Sequence, residues 1–168
     1  MKRIVLLLVL LIASVALFAG EPVKGIGVGV STGLPFHAGA MGEYNFGPAY
    51  ASVELAYASG PYFLFRVGGG YNFPEPFVND AWGMDLRLSV GGRFSGYIGS
   101  FGGSVVASGA FSIPVTWSWY ADGIPLKVFV QAGPDLYFGG GAMQLDFSGT
   151  AGVMYVFSLE PKQGDIGD

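Results

Sequence analysis

Apolar and polar residues alternate with period two along nearly the whole chain after Gly20, the mark of β-strands with two unlike faces. Over 81–94, Trp82, Met84, Leu86, Leu88, Val90 and Phe94 interleave with Gly83, Asp85, Arg87, Ser89, Gly91 and Arg93. Over 104–119, Val105, Ala107, Phe111, Ile113, Val115, Trp117 and Trp119 interleave with Ser104, Ser108, Ser112, Thr116 and Ser118. The same alternation predicts strands over 23–32, 36–46, 49–58, 62–72, 125–137 and 142–157, which makes eight. No apolar run after Gly20 has helical spacing or the length of a membrane-spanning helix.

Turn residues punctuate these segments: Gly33-Leu34-Pro35, Gly47-Pro48, Ser59-Gly60-Pro61, Ala121-Asp122-Gly123 and Gly139–Gly141. Two connectors, 73–80 and 95–103, are longer. An even number of antiparallel strands on short turns is an up-and-down meander, and eight of them can close and remove both sheet edges. Pro114 deletes a ladder hydrogen bond inside one of these strands, so a bulge is expected there.

The pattern leaves open which face points inward, and composition bears on that. Charged residues are 12% of the chain, against about 25% in typical soluble domains. The polar faces are mostly Gly, Ser, Ala and Thr, which is poor material for a water-facing surface but suits the lining of a narrow barrel. Aromatics gather toward strand ends while Val, Leu, Ala and Ile fill the middles, as in the aromatic girdles of transmembrane barrels. Trp82, Phe94, Trp117, Trp119, Tyr155 and Phe157 are therefore expected at the membrane interfaces. A soluble sandwich or calycin-like barrel is the competing architecture.

With small residues inside, the sparse charges must meet one another, because buried charges persist only when paired. A tight turn at Ser59-Gly60-Pro61 pairs Ala58 with Tyr62 and hence Glu54 with Arg66; the next turn is expected to bring Asp85 and Arg87 to Arg66. Glu43, Arg93, Lys127, Gln131 and Asp146 extend the expected lumen network.

The start of the chain has another character. Lys2-Arg3, an apolar run from Ile4 to Phe18 and the small pair Ala19-Gly20 form a signal peptide, assigned to 1–19 with the cut after Ala19 or Gly20; an uncleaved anchor is the alternative. Its removal takes Lys2 and Arg3 and moves the net charge from −4 to −6. No basic patch remains, so nucleic acid is not an expected partner. With no cysteine, sheet pairing and packing alone hold the exported chain.

Length, alternation and strand count resemble the small eight-stranded bacterial outer-membrane β-barrels of the outer-membrane protein A and X type. The resemblance includes the closing segment Ala151–Phe157, with apolar residues at alternate positions and a final aromatic. In that class the barrel assembly machinery reads such a strand. The resemblance implies an all-β, eight-stranded antiparallel up-and-down transmembrane barrel over 20–157, localised to the outer membrane, monomeric and with the lipid bilayer as partner. Residues 158–168 depart from the pattern and read as an acidic disordered tail.

Candidate chemistry is sparse. His37, the only histidine, is a conceivable base for a lipid-modifying enzyme, but such a site needs a serine and a carboxylate beside it, and Gly39 stands where deacylases of that kind carry serine. One histidine and no cysteine leave no metal site, and no cofactor is expected. Gly25–Gly29 continues the alternation with no helix after it, so it is not a phosphate loop. The expected role is non-enzymatic, structural or surface-interacting; a narrow conduit for small solutes or apolar ligands is the alternative, ahead of a lipid-modifying enzyme or a soluble periplasmic ligand-binding barrel.

Overall fold

The computed structural model describes residues 24–58, 62–73, 84–121 and 124–159. The expected signal peptide, Trp82 and the tail beyond Leu159 lie outside them. The strands are β1 Gly25–Leu34, β2 His37–Asn45, β3 Ala49–Ala58, β4 Tyr62–Asn72, β5 Met84–Phe101, β6 Ser104–Ser112, β7 Val115–Ala121, β8 Leu126–Gly139 and β9 Ala142–Ser158. All pairings are antiparallel, and β1 closes on β9 from Gly25↔Ser158 to Leu34↔Gly149. β6 and β7 together fill one stave between β5 and β8. The fold is thus a closed eight-staved up-and-down barrel, the expected class.

The break between β6 and β7 falls at Ile113-Pro114, but it is not the expected bulge. Ser112 pairs with Arg93 and Asp135, and Val115 with Val90 and Ala132. The spacing is therefore equal on all three staves, whereas a bulge adds a residue to one. Pro114 lacks the N–H that β5 would receive, and Pro134 of β8 lacks the one Ile113 would receive. The bonds of opposite sense survive, Gly91 N donating to Pro114 O at 3.1 Å and Ile113 N to Pro134 O at 3.3 Å. Two missing donors interrupt the ladder without shifting its register.

A second expectation changes at 95–103. Instead of a loop, this segment is the upper half of β5, paired with β4 through Tyr62↔Gly99 and with β6 through Phe101↔Ser104. Only Gly102-Gly103 turns, with φ of 58° and 81°, and Gly140-Gly141 turns the β8–β9 hairpin with φ of 60° and 82°. Such paired left-handed positions match the twist of a two-residue hairpin and favour glycine.

Stepping from partner to partner round the barrel from Gly25, through Asn45, Tyr50, Gly70 and Gly91 to Ser148, ends level with position 35 rather than Gly25. That stagger of about ten residues sets a strand tilt near 40° and a rise along the barrel axis of roughly 2.5 Å per residue. Once heights are corrected for it, the outward aromatics fall into two belts. The lower, on the side of the chain ends, holds Tyr44, Phe46, Tyr71, Phe73, Trp117, Trp119, Tyr155 and Phe157. The upper holds Phe36, Tyr57, Phe63, Phe65, Phe94, Phe111 and Phe147. The belt centres stand about 20 Å apart, and the outward positions between the belts include Val28, Val30, Val53, Val67, Ile113, Val130 and Val153, with no aromatic. The β5–β6 and β8–β9 hairpins rise roughly 12–16 Å above the upper belt.

Burial is inverted relative to a water-soluble barrel. Val28, Val30, Val53, Leu55 and Phe147 are exposed on the outer wall, while Glu54, Arg66, Arg93 and Lys127 are buried in the lumen. The lumen also holds Tyr50, Leu64, Phe129 and Met154, with Ala56, Ala58 and Leu64 clustered under Tyr62 and Tyr97.

Candidate functional site

The barrel's chemistry lies in the lumen, because period-two alternation sends every polar face there. Near the lower end, Lys127 Nζ donates to Glu43 Oε1 at 2.5 Å, and Asn45 Nδ2 donates to the same oxygen at 2.8 Å. Asn72 ties Asn45 to β4 at 2.7 Å. The Tyr120 ring lies 5.8 Å from both Lys127 Nζ and the Arg87 guanidinium, within cation–π range. Lys127 is buried, with 2% of its surface exposed.

Higher up, two clusters occupy facing walls. On the β1–β4 wall, Arg66 Nη1 donates to Glu54 Oε2 at 3.0 Å and to Thr150 Oγ1 at 3.2 Å, while Ser31 Oγ donates to Glu54 Oε1 at 2.7 Å. His37 Nδ1 stands 2.8 Å from the carbonyl of Pro35, and its Nε2 stands 2.8 Å from Arg66 Nη1. A carbonyl only accepts and a guanidinium only donates, so Nδ1 donates to Pro35 and Nε2 accepts from Arg66, with Glu54 Oε1 also 3.3 Å from Nε2. On the facing wall, Arg93 donates to Gln131 Oε1 at 2.6 Å and to Ser148 Oγ at 2.9 Å. Gln131 Nε2 donates to Thr116 Oγ1 at 2.9 Å, and Ser148 Oγ to Asp135 Oδ1 at 2.9 Å.

The pairing of Glu54 with Arg66 follows the turn arithmetic residue for residue. The expected approach of Asp85 and Arg87 to Arg66 does not occur. Arg66 pairs with Ser95, while Asp85 and Arg87 pair with Tyr120 and Ser118, near the lower end. The cause is the upper half of β5, whose length shifts Asp85 and Arg87 down the barrel; the Asp85 side chain itself is outside the described residues. Asp146 has the inward parity but stands exposed at the upper rim, where its Oδ1 accepts from the Phe147 N–H at 2.8 Å, apart from the network. Ser31, Thr116, Asp135, Ser148 and Thr150 were not singled out from the sequence, although each shares the parity of a lumen charge on its own strand.

Of the expected interface aromatics, Trp117, Trp119, Tyr155 and Phe157 lie in the lower belt and Phe94 in the upper. The Tyr155 and Phe157 rings lie 4.7 Å apart between centroids, tilted by 55°. Above the network the lumen widens to a vestibule of about 330 Å³ lined by Ala58, Tyr62, Tyr97, Tyr137, Gln144, Asp135 and Asp146.

The His37 ring nitrogens face Pro35 O, Arg66 Nη1 and Glu54 Oε1, Ser31 Oγ donates to Glu54, and Thr32 Oγ1 donates to the His37 backbone carbonyl at 2.8 Å.

A closed eight-stave antiparallel barrel with an apolar wall and a charge-paired interior defines the class: a small eight-stranded β-barrel. Among solved structures, the chain is similar to Neisserial surface protein A (NspA), with 15% identity over 82% of this chain and 99% of that one, at a TM-score of 0.46. The barrel assignment rests on the strand pairing itself and not on this likeness. No family model matches the chain, and no curated protein does.

Proposed function

We propose that the chain is a bacterial outer-membrane barrel of non-enzymatic, structural or surface-interacting role, monomeric, exported by residues 1–19 and inserted by the barrel assembly machinery. The observation that carries this is the inverted wall, sorted by height into two aromatic belts about 20 Å apart, close to the roughly 25 Å apolar band of outer-membrane barrels. A water-soluble monomer rarely exposes contiguous apolar patches beyond a few hundred Å², and water gives no reason to sort aromatics by height. Osmotic shock of cells expressing the full chain tests it. Retention in the outer-membrane fraction until detergent is added is expected; release into the periplasmic fraction would overturn the proposal.

Within that setting the lumen network acts as a plug, since eight staves leave an interior that side chains fill, with Glu43–Lys127 crossing it below and Arg66 reaching from Glu54 to Thr150 above. The second reading, a narrow wet conduit, draws on one observation. Arg66 Nε and Nη2, Arg93 Nε, Ser95 Oγ and Ser112 Oγ are buried without a protein partner, and their Cα positions adjoin across β4, β5 and β6. Such groups call for water. Planar-bilayer recording separates the two: a flat current at several voltages supports the plug, and discrete steps support the conduit.

A further inference from the structure

His37 is the only histidine of the chain, and it is buried at the floor of the vestibule. Pro35, whose carbonyl accepts from Nδ1, and Ala58, its partner across the β2–β3 ladder, both line that space. Among the described residues, the charged groups that face the ring are Glu54 from β3 and Arg66 from β4. β1 and β9 bring only hydroxyls to this cluster, Ser31 and Thr32 from the one and Thr150 from the other. On its own strand, Glu43 is taken up by Lys127 lower in the barrel. Arg93 and Asp135 belong to the facing wall, and Tyr62, Tyr97 and Asp146 line the vestibule above.

The hydrogen bonds round Arg66 Nη1 are oversubscribed. That nitrogen carries two hydrogens and meets three acceptors: His37 Nε2 at 2.8 Å, Glu54 Oε2 at 3.0 Å and Thr150 Oγ1 at 3.2 Å. Nε2 also stands 3.3 Å from Glu54 Oε1, two acceptors face to face while Nε2 carries no hydrogen. A proton on Nε2 reverses both conditions. Nε2 then donates to Oε1 and ceases to accept from Nη1, which keeps one hydrogen for Glu54 and one for Thr150. Oε1 has a second lone pair for the Ser31 hydroxyl, and Nδ1 goes on donating to Pro35. Two hydrogens then serve two acceptors, and the Glu54 carboxylate bridges two cations through charge-assisted bonds.

We propose that His37 is a proton sensor at the vestibule floor: taking up one proton at Nε2 moves the ring's hydrogen bond from Arg66 to Glu54 and releases Arg66 from β2. Histidine is the side chain whose ordinary titration falls between pH 5 and 8, so acid entering the vestibule is the signal. The neutral ring holds the guanidinium against the β2 wall; the charged ring repels it and leaves it tied to β3 and β9. The upper layer of the lumen network is thus joined differently on the two sides of the transition. The inference depends on the closed barrel and its lumen geometry, and stands whichever solvent faces the outer wall.

Nuclear magnetic resonance of the full chain in dodecyl maltoside micelles, with nitrogen-15 in histidine and arginine side chains, tests this on a single imidazole. At about pH 8 the ring shifts are expected to show the Nδ1–H form. Lowering the pH to about 4.5 is expected to add one proton to the ring, with the Arg66 Nε signal, identified by its loss in Arg66→Lys, moving at the same midpoint. Ser31→Ala removes the competing donor to Oε1 and is expected to raise the proton affinity of the ring about fivefold, the worth of one hydrogen bond. Glu54→Gln removes the accepting carboxylate and is expected to lower it at least tenfold; should that variant not fold, Ser31→Ala carries the comparison. An Nε2–H ring at pH 8, a ring that takes up no proton, or a titration that leaves Arg66 Nε unmoved would overturn the proposal. So would a Ser31→Ala midpoint equal to that of the unchanged protein.

Discussion

Val53 and Val105 distinguish the two solvents the outer wall could face. Both side chains point outward, with exposures of 57% and 81%, and both sit in strands paired on regular ladders. They differ in height. Val53 lies near the midpoint between the aromatic belts, and Val105 stands about 25 Å higher, beside the Gly102-Gly103 turn. An arginine on the lipid face of a barrel costs about 2–4 kcal/mol at the bilayer midplane and about 0–1 kcal/mol near its edge. Val53→Arg is therefore expected to lower the unfolding free energy by about 3 kcal/mol, roughly 150-fold in the folded-to-unfolded ratio. Val105→Arg is expected to lower it by less than about 1 kcal/mol. Urea titration of the refolded chain in phosphatidylcholine vesicles, followed by tryptophan emission, measures both. Losses agreeing within about 0.5 kcal/mol would refute the reasoning, because a water-facing wall makes each an ordinary surface change.

Three further outcomes follow from the lumen and the seam. Glu54→Gln leaves the buried Arg66 guanidinium without its carboxylate and is expected to cost about 3–5 kcal/mol, while adding Arg66→Met recovers at least half; the temperature of the heat-induced gel shift reads both. Lys127→Met strands Glu43 in the same way, and because the two clusters share no residue its loss should add to that of Glu54→Gln within about 0.5 kcal/mol, read in the same urea titration. Gly152→Val would place a Cβ 2.5 Å from the Val30 carbonyl and 2.6 Å from the Phe129 ring and is expected to destabilise by about 1–3 kcal/mol. Gly42→Val, outward-facing with only a 3.5 Å contact to Val53, is the tolerated control in that titration.

Legibility in the sequence varied with the length of the connections. Between β3 and β4 the short connection 59–61 and parity exclude a one-residue slip but not a two-residue one, and the tight-turn register, with Glu54 opposite Arg66, is the one adopted. Between β4 and β5 the connection is long, and the upper half of β5 carries Gly96 and Gly99 where alternation would otherwise be visible. A glycine has no side chain to mark a face, so that half reads as loop, and the positions of Asp85 and Arg87 move with it. At Ile113-Pro114 the sequence announces a disturbance but not its kind, which depends on Pro134 standing opposite. The inward direction of the charges was readable from parity; the partners of Arg93, drawn from β8 and β9, required the stagger that only closure fixes.

The β1–β9 seam has a consequence for how such a chain comes to be folded. Every other junction joins strands that are near neighbours in sequence, whereas Gly25 meets Ser158 across about 130 residues, some five doublings more than a short hairpin. At roughly 0.6 kcal/mol per doubling, the seam carries about 3 kcal/mol of extra chain entropy, and contacts of that separation slow folding. Until it forms, β1 and β9 each present a row of unpaired backbone groups that lipid cannot satisfy. Under the membrane reading, β9 is thus one of the two strands that an assembly catalyst would have to hold, and Tyr155 and Phe157 mark the end of it.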